Sequence, residues 1–269
     1  MKKLFLSLII SISLVTQAFA VGLISDGADD HSNCGTSNTI LQENAAQSVI
    51  CLTKANSEGE SSGRIISKES GAGSGLRFVV NDLTAGGNAE LGLQVSGTTS
   101  MLRPQADGEL VVGVWHLVGY SWDGSTTATN ADIWVDGTEA NYGTAQNMVT
   151  ATDNAAGIVG FFGRDNRDRT YDGTHQFCYV WTSDLTDAQM AWGTSLGQLA
   201  GTFPHSLAYA LFSISPSTLN MAMIFDSYAS GTATNSLVYK DRTGNWSCTS
   251  DDGAGNSGIT ASDEPLTYN

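Results

Sequence analysis

Asp132 and Asp136 are the first residues to weigh for catalysis, because two acids four apart in an extended run are the simplest general acid/base pair. A strand would hold them ~13 Å apart. Retaining glycoside hydrolysis needs carboxyls ~5 Å apart and inverting hydrolysis ~6.5–9.5 Å. Asp136 precedes Gly137 and reads more simply as a turn former. Residues 59–63, GESSG, match a nucleophile-elbow pattern, but an elbow needs a strand before it and a helix after it. Here a polar loop leads into the strand-like Arg64-Ile-Ile run, which argues against a catalytic Ser61. His31, His116, His175 and His205 are scattered, without metal-ligand spacing, and His116 beside Trp115 reads as structural. No phosphate-cradling or dinucleotide motif occurs. The expectation is a protein without catalysis and without a required cofactor.

Calcium is the cation the sequence could hold, because hard cations take carboxylate and carbonyl oxygens. Three groups qualify: Asp26, Asp29 and Asp30; Asp165, Asp168 and Asp172; and Asp251 and Asp252 with Asn256. Each is also an ordinary solvated turn in an acidic chain. The second group interleaves with Arg164, Arg167 and Arg169, which suggests an ion-pair network or a polar pocket. Sugar recognition would use an aromatic platform with polar groups beside it. Trp122, Tyr142, Tyr171 and Trp181 fall at strand ends or loops, whereas Trp115 and Trp134 read as packing residues. The expected ligand set is Trp122, Tyr142, Arg164, Asp165, Tyr171 and Asp172.

These residues must be positioned by strands. Short apolar or alternating runs cover residues 48–53, 64–68, 76–80, 90–95, 114–122, 131–135, 157–162 and 176–181. Asp123-Gly124 and Asp136-Gly137 follow aromatic strands and signal hairpin turns. One short helix is expected from Asp187, capped by Thr186 with Gln189 and stopped at Gly193. Residues 21–47 read as loop-rich. Further strands are expected over 207–213, 219–225 and 236–239, before a Gly/Asn/Asp-rich end. The pattern predicts an all-β, two-sheet antiparallel sandwich with one short helix. It forms one domain over residues 21–269, with a core near 45–195 and the strands after 200 joining the same sandwich.

Charge excludes some partners. The 269 residues hold 12 Lys+Arg against 27 Asp+Glu, a net charge of −15. Nucleic acids and anionic membranes need clustered cations, so neither is expected as a partner. Residues 1–20 have a Lys2-Lys3 start, an apolar stretch and an Ala18-Phe19-Ala20 cleavage pattern, which read as a signal peptide. No membrane span is expected once the leader is removed, and the location expected is secreted, periplasmic or cell-surface. Cys34, Cys51, Cys178 and Cys248 would then form disulfides. The first choice is Cys34 with Cys248, leaving Cys51 and Cys178 to pair or to sit as buried thiols. A local Cys34–Cys51 loop is the alternative.

The ordered motifs carry a resemblance. WHLVGYSWDG (115–124), ADIWVDG (131–137), GIVGFFG (157–163) and YDG (171–173) followed by FCYVW (177–181) and DLTDA (184–188) resemble the laminin-G-like, concanavalin A-like jelly-roll family. The similarity covers about residues 45–195 in order. Leu52 and Gln176 depart from it, standing where the family usually has Trp and Asp. No acid triplet of the kind found in related glucanases is present, since Trp134 stands where its third carboxylate would be needed. The resemblance implies a jelly roll with a binding rim or concave face, with carbohydrate or protein-surface recognition and sometimes calcium. The expected function is an exported, non-catalytic module for glycan or a cell-surface polymer. The alternatives are a structural, adhesion or virion-associated decoration protein with a protein partner, and a divergent polysaccharide hydrolase or lyase.

Overall fold

The computed structural model describes residues 22–60, 62–70, 74–83, 88–97, 99–105, 110–151, 156–164, 168–195, 210–225, 238–240, 242–251 and 260–262. The chain is an all-β sandwich of antiparallel sheets with one α-helix among the described residues. One sheet runs β11 (Thr138–Glu139), β10 (Ala131–Val135), β9 (Trp115–Trp122), β3 (Gln47–Ala55), β13 (Asp172–Trp181), β1 (Gly22–Asp26) and β17 (Thr260–Ser262). β14 (Leu219–Ile224) also pairs with β13: β1 takes Asp172 to His175, and β14 takes Phe177 to Trp181. The register breaks at Gln176 between them.

The second sheet runs β12 (Ile158–Phe161), β4 (Gly63–Ser70), β5 (Ser74–Leu83), β6 (Asn88–Val95) and β7 (Met101–Pro104), with β8 (Leu110–Val111) also on β6. A small sheet joins β15 (Val238–Lys240), β16 (Ser247–Asp251) and β2 (His31–Asn33).

Side-chain alternation fixes the faces. In β5 and β6, Leu76, Phe78, Val80, Leu91, Leu93 and Val95 point to the inter-sheet core. Val49, Cys51, Val118, Tyr120, Ile133 and Val180 meet them from the other sheet, and Phe78 packs edge-on against Tyr120 at 5.3 Å. The first sheet is buried on its outer side too. Ile50, Leu52, Leu117, Trp134, Tyr179 and Trp181 form a second apolar layer there. Met190 of helix α1 (Asp187–Ser195) and Leu211 close it. Double burial leaves every residue of 115–122 buried, so the strand shows no alternation of buried and exposed positions.

Thr186 and Gln189 form the expected capping box, with reciprocal bonds of 3.0 and 3.4 Å. The helix does not stop at Gly193 but continues to Ser195. Gly193 is there for close packing, since a Cβ would stand 2.7 Å from Ile50 Cδ1. Asp136-Gly137 is a two-residue hairpin turn with φ of 49° and 86°. Asp123-Gly124 instead opens a longer connection, through a 3-10 turn at Ala128–Asn130, because Trp122 pairs with Ala131.

The segment read as loop-rich contains β1 and β2, and the Gly/Asn/Asp-rich end contains β16 and β17. The strand expected over 207–213 is not formed in its described part, where 210–211 close a helical turn. Cys34 pairs with Cys248, as first expected; Cys51 and Cys178, left open as a pair or as buried thiols, form a disulfide, and the local Cys34–Cys51 loop is not formed. No helix among the described residues is long and apolar enough to cross a membrane, and residues 1–20 lie outside them.

Candidate functional site

One end of the sandwich gathers the candidate residues. β1 ends at Asp26, β3 at Ala55, and β13 begins at Asp172. Asp26 pairs with Asp172 in the β1–β13 register. Two of the three acidic groups singled out in the sequence therefore share one rim. Loops 26–31, 56–62 and 162–171 are tied together there by backbone bonds Asn56 N–H to Asp172 O, Glu60 N–H to Thr170 O, Arg64 N–H to Arg169 O and Tyr171 N–H to Phe162 O. Gly59 is required at this seam, with φ +66° and a Cβ position only 1.9 Å from the Thr170 carbonyl.

Each rim acid has a distinct environment. The Asp172 carboxylate accepts from Ser57 Oγ at 2.6 Å and Asn56 Nδ2 at 3.2 Å. Asp168 pairs with Arg164, the ion-pair arrangement suggested by the alternation of signs. Asp165 lies outside the described residues. Asp26, Asp29 and Asp30 each bring a carboxylate oxygen within 4.8 Å of the others. Asp30 is fully buried, and burial pushes its carboxyl up to about 6. Of the third acidic group, Asp251 ends β16 opposite His31, while Asp252 and Asn256 lie outside the described residues.

A charged face continues from this rim across the outer side of the six-stranded sheet. Glu69 is fully buried there and binds two guanidinium groups. Arg64 Nε and Nη2 reach its two oxygens at 2.8 and 3.2 Å, and Arg77 Nη1 reaches Oε1 at 3.1 Å. Arg77 Nε also donates to Gln94 Oε1 at 2.7 Å. Asn81 bridges Ser62 and Glu90, with bonds of 2.6 and 2.7 Å. Burial pushes Arg77 below the usual guanidinium range; Arg64 and Arg164 add to that push and Glu69 opposes it. None of Arg64, Glu69, Arg77 and Gln94 was singled out from the sequence. Alternation already places Arg77, Glu90 and Gln94 on outward faces, but only the strand register sets them beside one another.

The aromatic residues expected to stack on sugar do not present ring faces. Trp122 is fully buried in the inter-sheet core and donates to the Ser125 carbonyl at 3.1 Å. Tyr171 is fully buried, stacked on His175 at 4.6 Å and bonded to Thr53 Oγ1 at 2.6 Å. Trp181 lies beneath the helix side of the other sheet. Tyr142 stacks on the Arg103 guanidinium at 3.3 Å, and its hydroxyl accepts from Ile133 N–H and bonds Glu139. Trp122 and Trp181 stand at the end of the sheet opposite the rim, beside Gln47 and Ser48 at the start of β3, where the facing sheet covers Trp122 and the helix side covers Trp181. Among the described residues, the exposed tryptophan is Trp192 of α1, 44% accessible.

The catalytic candidates are separated. Asp136 is bound to His116, and Asp132 lies 4.0 Å from Arg103. β3 and β4 flank the GESSG loop, so no helix follows it; Ser61 itself lies outside the described residues.

No family model matches the chain, and no curated protein matches it by sequence. Solved structures resemble it. A Bacteroides ovatus protein classed as carbohydrate-binding is 15% identical with a TM-score of 0.57, over 93% of this chain and 62% of that one. A heptameric SAP-like pentraxin from Limulus polyphemus is 17% identical, over 64% and 81%, with a TM-score of 0.48. The mouse laminin α1 chain, domains LG4-5, is 13% identical, over 60% and 41%, with a TM-score of 0.43. The fold is the two-sheet antiparallel sandwich that the sequence pattern implies, and the Bacteroides ovatus structure shares it.

Proposed function

We propose that the chain is an exported, non-catalytic binding module for glycan, and that its ligand lies on the outer face of the six-stranded sheet beside the Arg164 rim. The observation that supports this is the contrast between the two outer faces. The eight-stranded sheet is closed by α1 and Leu211 over apolar side chains. The six-stranded sheet carries Arg77, Asn81, Glu90 and Gln94, each held by a partner side chain. Fixed planar amide, carboxylate and guanidinium groups suit recognition of hydroxyl pairs, because little side-chain freedom is lost on binding.

The carboxylates here do not fit hydrolysis. Glu69 is buried and its two oxygens are bound to Arg64 and Arg77, so it has no access to substrate. The leader-like residues 1–20 and the two buried disulfides support export. The carbohydrate-binding class of the Bacteroides ovatus neighbour agrees with this reading and does not carry it.

Glycan arrays and polysaccharide pull-downs test the proposal, with wild type beside Arg77→Ala and Gln94→Ala. Saturable binding that falls at least tenfold in either variant is expected. Absence of binding to every neutral and acidic polymer, with and without calcium, would overturn it. So would release of sugar fragments by the purified protein.

A further inference from the structure

We infer that Lys68 and Glu43 become a covalent cross-link, an amide between Lys68 Nζ and Glu43 Cδ formed inside the sandwich core. This goes beyond the glycan reading and stands without it.

Lys68 sits on the inner face of β4, beside Val159 of β12 and Leu76 of β5. Both neighbours are fully buried, and so is Lys68. Ile66, on the same face of β4, belongs to the inter-sheet core. Glu43 comes from the connection between β2 and β3 and is fully buried as well. Its Oε2 lies 3.7 Å from Lys68 Nζ. An amine and a carboxyl group therefore face each other in a space closed to solvent.

The segment that carries Glu43 is pinned. Ile40 and Leu41 enter the same core, and Ile40 N–H donates to Ser37 Oγ at 3.1 Å. Gln47 Nε2 donates to the carbonyls of Gln42 and Ala45, on either side of Glu43, at 2.7 and 3.5 Å. The Asp123-Gly124 turn presses on the segment, since a Cβ at Gly124 would stand 2.6 Å from the Ala45 carbonyl carbon. Holding two reacting groups together in this way can stand in for a concentration of ~10⁵ M or more.

Burial supplies the driving force. In water, solvation of the two ions holds the equilibrium away from the amide. In the core each ion has lost its hydration, a large cost that mutual attraction repays only with excellent geometry. At 3.7 Å the pair is longer than a charge-assisted hydrogen bond. A neutral amide escapes that cost and asks only for ordinary hydrogen-bond partners. The Gln47 side chain, fixed to the same segment, keeps a buried Oε1 without a partner.

The step is a condensation and needs no other reactant. The Lys68 nitrogen bonds to Glu43 Cδ, and one C–O bond of the carboxylate breaks. Two protons of the ammonium group leave with that oxygen as water, and the third remains as the amide N–H. The bond would reach a part of the fold that the disulfides miss. Cys51–Cys178 ties β3 to β13 within the eight-stranded sheet, and Cys34–Cys248 ties the end of β2 to β16. Lys68 belongs to the six-stranded sheet, to which neither connects.

Intact mass and tryptic mapping test the cross-link, on the whole exported chain isolated folded and then reduced. Wild type is expected to weigh one water less than its sequence. Trypsin should pass Lys68 uncut and release one branched peptide, joining residues 65–77 to the peptide that ends at Lys54. Lys68→Arg, which keeps the charge, should show the full mass and no branch. Full mass with cleavage at Lys68 in wild type would overturn the cross-link, and this result decides even if Lys68→Arg does not fold. Loss of ammonia in place of water, with the branch at Gln47, would overturn the assignment to Glu43. Water loss that persists in Lys68→Arg would overturn the part given to Lys68.

Discussion

His116 Nδ1 and Asp136 Oδ2 meet at 2.6 Å across the start of β9 and the end of β10. The other oxygen of Asp136 accepts from Leu117 N–H at 2.9 Å, and His116 Nε2 lies 3.2 Å from the Val111 carbonyl. The pair therefore joins three segments, and Asp136 holds a left-handed φ to make it. An acid that looked like half of a catalytic couple is a structural clamp. Asp136→Ala should cost about 2–3 kcal/mol, from one unsatisfied N–H and one unpaired imidazole. Asp136→Asn, which keeps the turn and one acceptor, should cost less. Urea unfolding of both variants checks the order, and equal losses would argue against the clamp.

Glu69 is the hinge of the charged face. Removing its charge leaves Arg64 and Arg77 buried against each other. Glu69→Gln should destabilise the fold by about 3 kcal/mol, within the range for breaking a buried ion pair from one side. Gln94→Ala, which removes only a neutral partner, should cost about 1 kcal/mol. Denaturant midpoints for the two variants measure the difference.

His175 titrates against folding. It is stacked among Phe162, Tyr171 and Phe225, and burial pulls its imidazole down to about 3. The unfolded chain takes up that proton near pH ~6.5. The unfolded state therefore binds more protons between pH ~6.5 and ~3, and stability falls as pH falls through that window. Above ~6.5 the contribution is constant. His175→Phe should flatten the loss between pH 6 and 4 by about 1 kcal/mol per pH unit. Parallel pH profiles of stability, recorded in EDTA, would show it; identical slopes would refute it.

The disulfides differ in what they close. Cys34–Cys248 spans 214 residues and Cys51–Cys178 spans 127. Chain-entropy arguments give about 4–5 kcal/mol for loops of such length. Replacing either pair with serine or alanine should lower stability by a comparable amount. Cys51 and Cys178 are wholly buried, so mild reductant should open neither sulfur while the protein stays folded. Non-reducing peptide mapping and thiol labelling under native conditions test both points.

The sandwich was legible because its strands carry strong local signals. Residues 131–135 form β10 as read, and Asp136-Gly137 makes the turn that its residue types demand. Gly22–Asp26 was missed because five residues without alternation, beside an acidic cluster, look like loop; pairing with β13 and β17 makes them a strand. The rim was partly legible, since Arg164 to Asp172 stood out by alternating charge. The charged face was not, because Arg64, Glu69 and Arg77 become neighbours only through the β4–β5 register and its bulge between Arg64 and Ile66. The aromatic platform was misread because strand-end position does not reveal which side a loop covers. Trp122 and Tyr171 point inward, and no local pattern distinguishes that from display.

The Cys34–Cys248 bond has a mechanical consequence. A pull entering the chain before residue 34 and leaving after residue 248 runs through one covalent bridge, and the strands between bear none of it. Strung between an anchor and a load, such a module would keep β3 to β15 in place behind the bridge, while β1, β2 and β17, which lie outside it, would carry the tension.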